Sequence, residues 1–285
     1  MRKFILTFDI EEWFHLLEND STDDENCWDK FEVRIHKNME RIFQILEETD
    51  SRATFFCLGW IAKKYPEVIK EINKLGYEVG CHSENHRLVH MLTPTEFRED
   101  TKLSVDRLEN IIGEKILSYR APGFSITKTT PWAFEVLSEL GILFDSSVFP
   151  ASRAHGGFPS FPSNQPAIVN YQGISIKEFP VTTTNIFGKE IGFSGGGYFR
   201  LFPYYIINKW VIKQEKVLVY MHPRDIDPSQ PIVSGLSLLR RFKSYYGLKH
   251  AENKFRRFLT DFDFNDIRTF EKTYGFAQID LENYL

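Results

Sequence analysis

The chain has 285 residues, 42% of them hydrophobic and 26% charged, which is enough apolar matter for one large domain with a full core. A formal charge of -4 and a pI near 6.1 remove the electrostatic basis for binding nucleic acid, whose polyanionic backbone calls for a basic surface. Cys27, Cys57 and Cys81 are odd in number and lack CxxC spacing, so neither a disulfide framework nor a thiolate metal site is expected, and a reducing compartment is.

Met1 to Phe8 reads as a first strand. Asp9, Glu11 and Glu12 interrupt its apolar run before a secretory segment or membrane span can form, so a cytoplasmic protein is expected. "NMERIFQILEE" follows as a helix with Met39, Ile42, Phe43 and Leu46 on one face. "RATFFCLGW" is strand two, "PEVIKEINKLG" a helix between Pro66 and Gly76, and "YEVGCH" strand three. Thr93, Pro94 and Glu96 set a cap, a first-turn proline and a third-position carboxylate in register for a helix reaching Gly113. "ILSYR" is strand four, Thr129 to Leu140 a helix, and "ILFDSS" strand five. Phe149 to Gln172, rich in proline and glycine, reads as a long irregular loop. "ISIKEFPV" is strand six, "PYYIINKWVIKQ" a helix and "KVLVYMHP" strand seven, giving about seven βα units and a nearly complete parallel barrel.

Residues 231–285 read as a helical extension of this one domain, 1–285, with Arg240, Arg241, Lys243, Lys249, Lys254, Arg256 and Arg257 beside Phe255, Phe258, Leu259 and Phe262 at helical spacing. The apolar face is expected to pack on the barrel. A peripheral contact of the basic helix with anionic lipid, at the inner face of a membrane, is the second expectation.

The polar residues at the strand ends are Asp9 and Glu11, His82, Arg120, Asp145, Glu178 and His222. In a parallel barrel these ends open on one face, so the groups can meet. His82 and His86, four apart, suit one turn of helix presenting two imidazoles to a divalent metal, while His90 reads as a packing residue. Asp9 and Glu11 share a face by strand periodicity and can divide metal binding and proton removal between them, with Glu12 pointing away. His222, held at a strand exit by Pro223, suits a general acid, and Arg120 suits a partner that keeps an aspartate ionised. Gly123 permits close backbone approach to an oxyanion.

Asp9 with Glu11, "HSENH" from His82 to His86, "RAPG" from Arg120 to Gly123, and "HP" at His222 stand in the order of the motifs of NodB-type polysaccharide deacetylases, carbohydrate esterase family four, which this chain resembles. "FDSSVFP", "KEFPVTT", "GGGYFRLFP" and the tail resemble additional segments of a subgroup associated with bacterial exopolysaccharide biosynthesis. The resemblance covers nearly the whole chain. It implies a distorted (β/α)7 barrel, a divalent metal, usually zinc, held by an acid and two histidines, and hydrolysis of N-acetyl groups on amino sugars.

Where the family has two adjacent aspartates, this chain has Asp9, Ile10 and Glu11. The same-face relation favours Glu11 as the metal carboxylate, and the resemblance then implies Glu11, His82 and His86 for the metal, Asp9 as base, His222 as acid and Arg120 orienting Asp9. The aspartate and tryptophan of the fourth family motif lack a match, Glu178 being the nearest acid. Gly123, Arg153, His155, Tyr198 and Arg200 are expected to meet substrate, an N-acetylated glycan or a lipid-linked or nucleotide-linked sugar. Two alternatives stand beside this reading: a hydrolase of another small amide on the same barrel, and a catalytically silent glycan-binding protein.

Overall fold

The computed structural model describes residues 3–285 apart from Glu18, Asp20, Asp23 and Ala154. Met1 and Arg2 of the expected first strand lie outside the described residues. The chain alternates β1 (Lys3–Ile10), α1 (Ile35–Glu48), β2 (Thr54–Cys57), α2 (Gly59–Lys64), α3 (Pro66–Lys74), β3 (Glu78–Cys81), α4 (Pro94–Ile112), β4 (Ser118–Tyr119), α5 (Trp132–Glu139) and β5 (Phe144–Asp145). Two hairpins follow, β6 (Ala167–Tyr171) with β7 (Ile174–Glu178), and β8 (Thr184–Ile186) with β9 (Lys189–Ile191). After them come α6 (Gly196–Leu201), α7 (Tyr204–Val211), β10 (Leu218–Met221), α8 (Leu238–Tyr245), α9 (Leu248–Asp261), β11 (Asp263–Asn265), α10 (Ile267–Glu271) and β12 (Ala277–Asp280).

Seven of these strands form the curved parallel sheet, in the order β10-β1-β2-β3-β4-β5-β7. The fold is a distorted (β/α)7 barrel. Its distortion lies at one seam: β7 and β10 are not neighbours in the ladder, and the segment after β7 bridges them instead. Thr182 Oγ1 accepts from the Leu218 amide at 2.8 Å, and the Ser194 carbonyl accepts from the Tyr220 amide at 3.3 Å.

Strand periodicity sorts the core into two layers. In β1, Phe4, Leu6, Phe8 and Ile10 join the outer layer under the helices, where Met39, Ile42, Ile45 and Leu46 of α1 are also buried. Ile5, on the opposite face, belongs to the interior cluster with Phe56, Phe144, Phe179 and Leu218. Thr7 and Asp9 continue that inward file, so the same alternation that builds the core delivers a carboxylate to the barrel mouth. The α4 cap forms as its sequence specifies: Thr93 Oγ1 accepts from the Glu96 amide at 3.2 Å, Glu96 Oε2 accepts from the Thr93 amide at 2.8 Å, and Gly113 closes the helix at φ 74°.

Two expectations need correction. The span from Phe149 to Gln172 is not irregular throughout, because β6 occupies its end and turns into β7 through Gln172 and Gly173, both at positive φ. A two-residue turn of that kind matches the twist of a hairpin. The tail is not helical throughout either: β11 pairs with β1, and β12 pairs with β6. Its α9 buries Phe255, Phe258 and Leu259, and Lys254 Nζ donates to the carbonyls of Phe199, Arg200 and Phe202.

Candidate metal centre and its acid and base

Glu11, one residue past the end of β1, lies with His82 and His86 so that one ligand atom from each falls within 4.8 Å of the others. The two imidazoles are not brought together by a helical turn. His82 follows β3, and the chain then folds through a tight loop in which Ser83 and His86 adopt φ 67° and 58°. Ser83 Oγ accepts from the His86 amide at 3.1 Å and holds that turn. His82 Nδ1 meets the Arg120 carbonyl at 2.7 Å, so it donates there and leaves Nε2 with a lone pair directed into the site.

Glu11 Oε2 and His86 Nε2 approach to 2.8 Å, yet this buried oxygen has no hydrogen-bond partner. Two ligand atoms aimed at a common point give that arrangement. A carboxylate and two imidazoles, all buried or nearly so, are a donor set that divalent ions such as zinc accept. The cluster fits a divalent metal ion. Burial alone would raise the Glu11 carboxyl, but the surrounding imidazoles of His86, His222 and His82 hold it down to about 2. Burial presses His82 down to about 4, which keeps it neutral as a ligand must be.

Asp9 stands next to this cluster and is tied to Arg120. Arg120 is fully buried in the barrel; its Nη1 donates to Asp9 Oδ1 at 2.8 Å and to Thr7 Oγ1 at 2.8 Å. Its Nε and Nη2 donate to the carbonyl and hydroxyl of Ser146, and Phe56 lies 4.3 Å beneath the guanidinium. Burial would raise Asp9, but Arg120, with His82 and His222, keeps it lowered and ionised.

His222 leaves the end of β10 and faces both acids, with Nε2 3.6 Å from Asp9 Oδ2 and 3.9 Å from Glu11 Oε1. Asp225, three residues on, accepts from its Nδ1 at 2.9 Å, and the Arg200 guanidinium lies 3.1 Å from the other Asp225 oxygen. Burial would lower the imidazole, but Asp225, Glu11 and Asp9 push it up to about 9.

Residues 5–144 match the polysaccharide deacetylase family, and residues 146–272 match a family described as a domain of unknown function. A peptidoglycan-N-acetylglucosamine deacetylase of Bacillus cereus is 30% identical over 86 residues, which are 30% of this chain and 32% of that protein. A peptidoglycan-N-acetylmuramic acid deacetylase of Bacillus subtilis is 34% identical over 82 residues, 29% of this chain and 18% of that protein. The first half of this chain, residues 5–144, thus resembles the polysaccharide deacetylases. Its matches span less than a third of the length of these two curated relatives. Among solved structures, a putative polysaccharide deacetylase from Mycobacterium smegmatis superposes with a TM-score of 0.62 at 18% identity, covering 95% of this chain and 90% of that one. A family four pseudoenzyme from Bacillus anthracis superposes at 0.52 with 14% identity, covering 94% and 64%. At such identities the likeness speaks to the fold alone, and a pseudoenzyme among the neighbours means that activity does not travel with the fold.

Within this barrel the remaining sequence candidates fall out as follows. Gly123 adopts φ 63° against Leu17 and Leu88, where a Cβ would come within 3.0 Å of both. Arg153 lies over the rings of Phe149 and Phe124, at 4.6 and 5.2 Å, and His155 packs beside Gly123. Tyr198 is exposed. Arg200 is buried, its guanidinium engaged by Asp225 and by the carbonyls of Lys243, Ser244 and Tyr246, so it holds the acid side of the site together. His90, expected to pack, is instead exposed on a short turn between the buried Val89 and the exposed Met91. Glu12 points away as its periodicity implies and caps α1, accepting from the amides of Arg34 and Ile35 at 2.7 and 2.8 Å.

Glu178, the acid nearest the fourth motif, sits on β7, away from the metal cluster. It pairs with Asp145 across β5 and β7, both fully buried, and burial together with the neighbouring Asp145 charge pushes the Glu178 carboxyl up strongly. Asp225 is the acid that sequence reading missed, and its signal was its place in "HPRD". His15 was also missed: a buried imidazole with its ring 6.2 Å from that of His86, its Nδ1 accepting from the Glu12 amide. Burial lowers it to about 3, so it stays neutral.

Proposed function

We propose that this protein is a metal-dependent hydrolase that removes N-acetyl groups from amino sugars of a glycan or its biosynthetic precursor. The observation that carries the reading is a single mouth holding three metal-type ligands, an ionised acid tied to a buried guanidinium, and a cationic imidazole facing it. A zinc ion held by Glu11, His82 and His86 would lower the pKa of a coordinated water and polarise an acetamide carbonyl. Asp9, kept ionised by Arg120, accepts the proton of the attacking water. His222, kept cationic by Asp225, donates a proton to the departing amine, and acetate leaves. The proton gained by one residue and lost by the other restores both after one exchange with solvent.

Tyr198, Arg153 and the backbone at Gly123 are the groups we assign to the sugar, with His155 beside them. The amino-sugar substrates named for the curated relatives support this class. The narrower reading of an exopolysaccharide precursor rests on the resemblance of "FDSSVFP", "KEFPVTT" and "GGGYFRLFP" alone, and the free thiols Cys27, Cys57 and Cys81 suit a reducing, cytoplasmic setting. Acetate release from N-acetylated oligosaccharides, measured with and without chelator, tests the proposal. Stoichiometric metal with no release from any acetylated sugar, but release from small amides, would move the activity to another amide.

A further inference from the structure

Helix α8 is amphipathic the wrong way round for a helix packed on a barrel. None of its residues is buried, and its large apolar side chains are turned to solvent: Leu238 is 86% exposed, Leu239 65%, Phe242 47% and Tyr246, at its cap, 49%. At 3.6 residues per turn these four lie within an arc of roughly 100°. Arg241 and Lys243 flank that arc on either side. The part-buried residues are Arg240, Ser244 and Tyr245 instead; Arg240 donates to the Leu17 carbonyl, and Tyr245, at the edge of the stripe, reaches back so that its Oη accepts from the Val233 amide at 2.8 Å. So short a helix is marginal by itself, and an apolar stripe in water gains by being covered.

We propose that α8 is an interfacial helix that seats the barrel on an anionic lipid bilayer, its apolar stripe in the acyl boundary and its flanking cations among the headgroups. Charge selects this occupant over a second copy of the chain. Residues 238–257 hold seven lysines and arginines against one acid, Glu252, in a chain of net charge -4. Among the described residues Arg241, Lys243 and Lys249 have no acidic partner, so two such surfaces would repel each other, whereas anionic lipid would neutralise them.

The position of α8 gives the contact a purpose. Leu17, which receives Arg240, follows the strand end that carries Asp9 and Glu11, and packs beside Gly123. Arg200 holds the carbonyls of Lys243, Ser244 and Tyr246 with the same guanidinium that pairs with Asp225. A bilayer under α8 therefore lies beside the barrel mouth, where a lipid-linked sugar would present its head. That orientation rests on the deacetylase reading; the binding itself does not.

Flotation of the full chain with vesicles of phosphatidylcholine, or of phosphatidylcholine and phosphatidylglycerol in equal parts, tests the proposal without any turnover. The chain is expected to float with the anionic vesicles and to be released by salt. Leu238→Ser with Phe242→Ser, and separately Arg241→Glu with Lys243→Glu, should each reduce the bound fraction about tenfold or more. All four positions are exposed, so melting curves should stay at the wild-type value. Wild-type protein that ignores anionic vesicles, or variants that bind as well as wild type, would overturn it. So would a dimer in sedimentation that the serine pair converts to monomer. Acetate release from soluble oligosaccharides is read separately, so the failure of one reading leaves the other standing.

Discussion

Asp225 grips His222 at two points: a single carboxylate oxygen accepts from both the backbone amide and Nδ1 of the histidine, each at 2.9 Å. The pair fixes the ring and raises its pKa to about 9 against the opposing effect of burial. A histidine that must donate a proton works while it is charged, so activity is expected below that value and lost as pH rises through it. Asp225→Asn keeps the size but removes the charge. The alkaline limb of the kcat–pH profile should then move to lower pH, with kcat reduced at neutral pH. A lowered rate with an unmoved limb would mean that Asp225 acts only as a structural peg.

The two carboxylates at the end of β1, Asp9 and Glu11, are assigned different work, and two variants separate them. Asp9→Asn should lower turnover by about 10²–10⁴ while leaving divalent-ion affinity, measured by calorimetry, near wild type. Glu11→Ala should lose stoichiometric zinc. Equal loss of metal in both variants would contradict the division.

Much of this arrangement was legible before any coordinates, for a simple reason: strand periodicity places Asp9 and Glu11 on one side, and strand ends in a parallel barrel share one face. What stayed illegible depends on backbone detail. The turn that joins His82 to His86 needs positive φ at Ser83 and His86, residues whose identity gives no hint of it. Asp225 escaped because its role comes from a single turn after Pro223 that folds it back onto His222. The prolines after Phe149 concealed the alternation of "AIVNY", so β6 passed for loop. Buried aromatic positions of α9 were read correctly as packing, whereas α8 shares the same basic, apolar composition and points its stripe outward, a difference set by tertiary contacts alone.

Arg120 sits at the centre of the barrel with no exposure, and its partners include Asp9, Thr7 and Ser146. Removing it strands the Asp9 charge in a buried site. Arg120→Met should cost about 3–5 kcal/mol in urea unfolding, because breaking a buried pair from one side leaves the other charge uncompensated. A loss below ~1 kcal/mol would show that water reaches Asp9.

Metal removal should be felt in stability as well as turnover. An ion that binds only the folded chain at a concentration 100 times its Kd stabilises by about 2.7 kcal/mol. Dialysis against chelator should therefore lower the melting temperature by a few degrees, and added zinc should restore it in wild type but not in His82→Ala. An unchanged melting temperature in all three samples would argue against a resident ion.

At the opposite end of the barrel, Glu78 provides a pH test unconnected with the reaction. Its buried carboxyl receives the hydroxyls of Thr54 and Ser118 and the Arg268 amide, and Thr54 Oγ1 also accepts from the Ile267 amide, which ties α10 to the barrel floor. Burial is the main cause that raises Glu78 to about 7, with the nearby Asp266 adding to it and the hydroxyls opposing it. Because the folded pKa lies above the unfolded one, the native state holds the extra proton between about pH 4.5 and 7, and stability falls as pH rises through that window. The ionised form costs at most about 3 kcal/mol at pH 8, by 1.36 kcal/mol per unit. Glu78→Gln keeps the acceptor oxygen and cannot ionise, so it should be more stable than wild type at pH 8 and lose that advantage at pH 4. Urea unfolding at the two pH values measures this, and an identical difference between the proteins at both would mean that Glu78 titrates at its ordinary value.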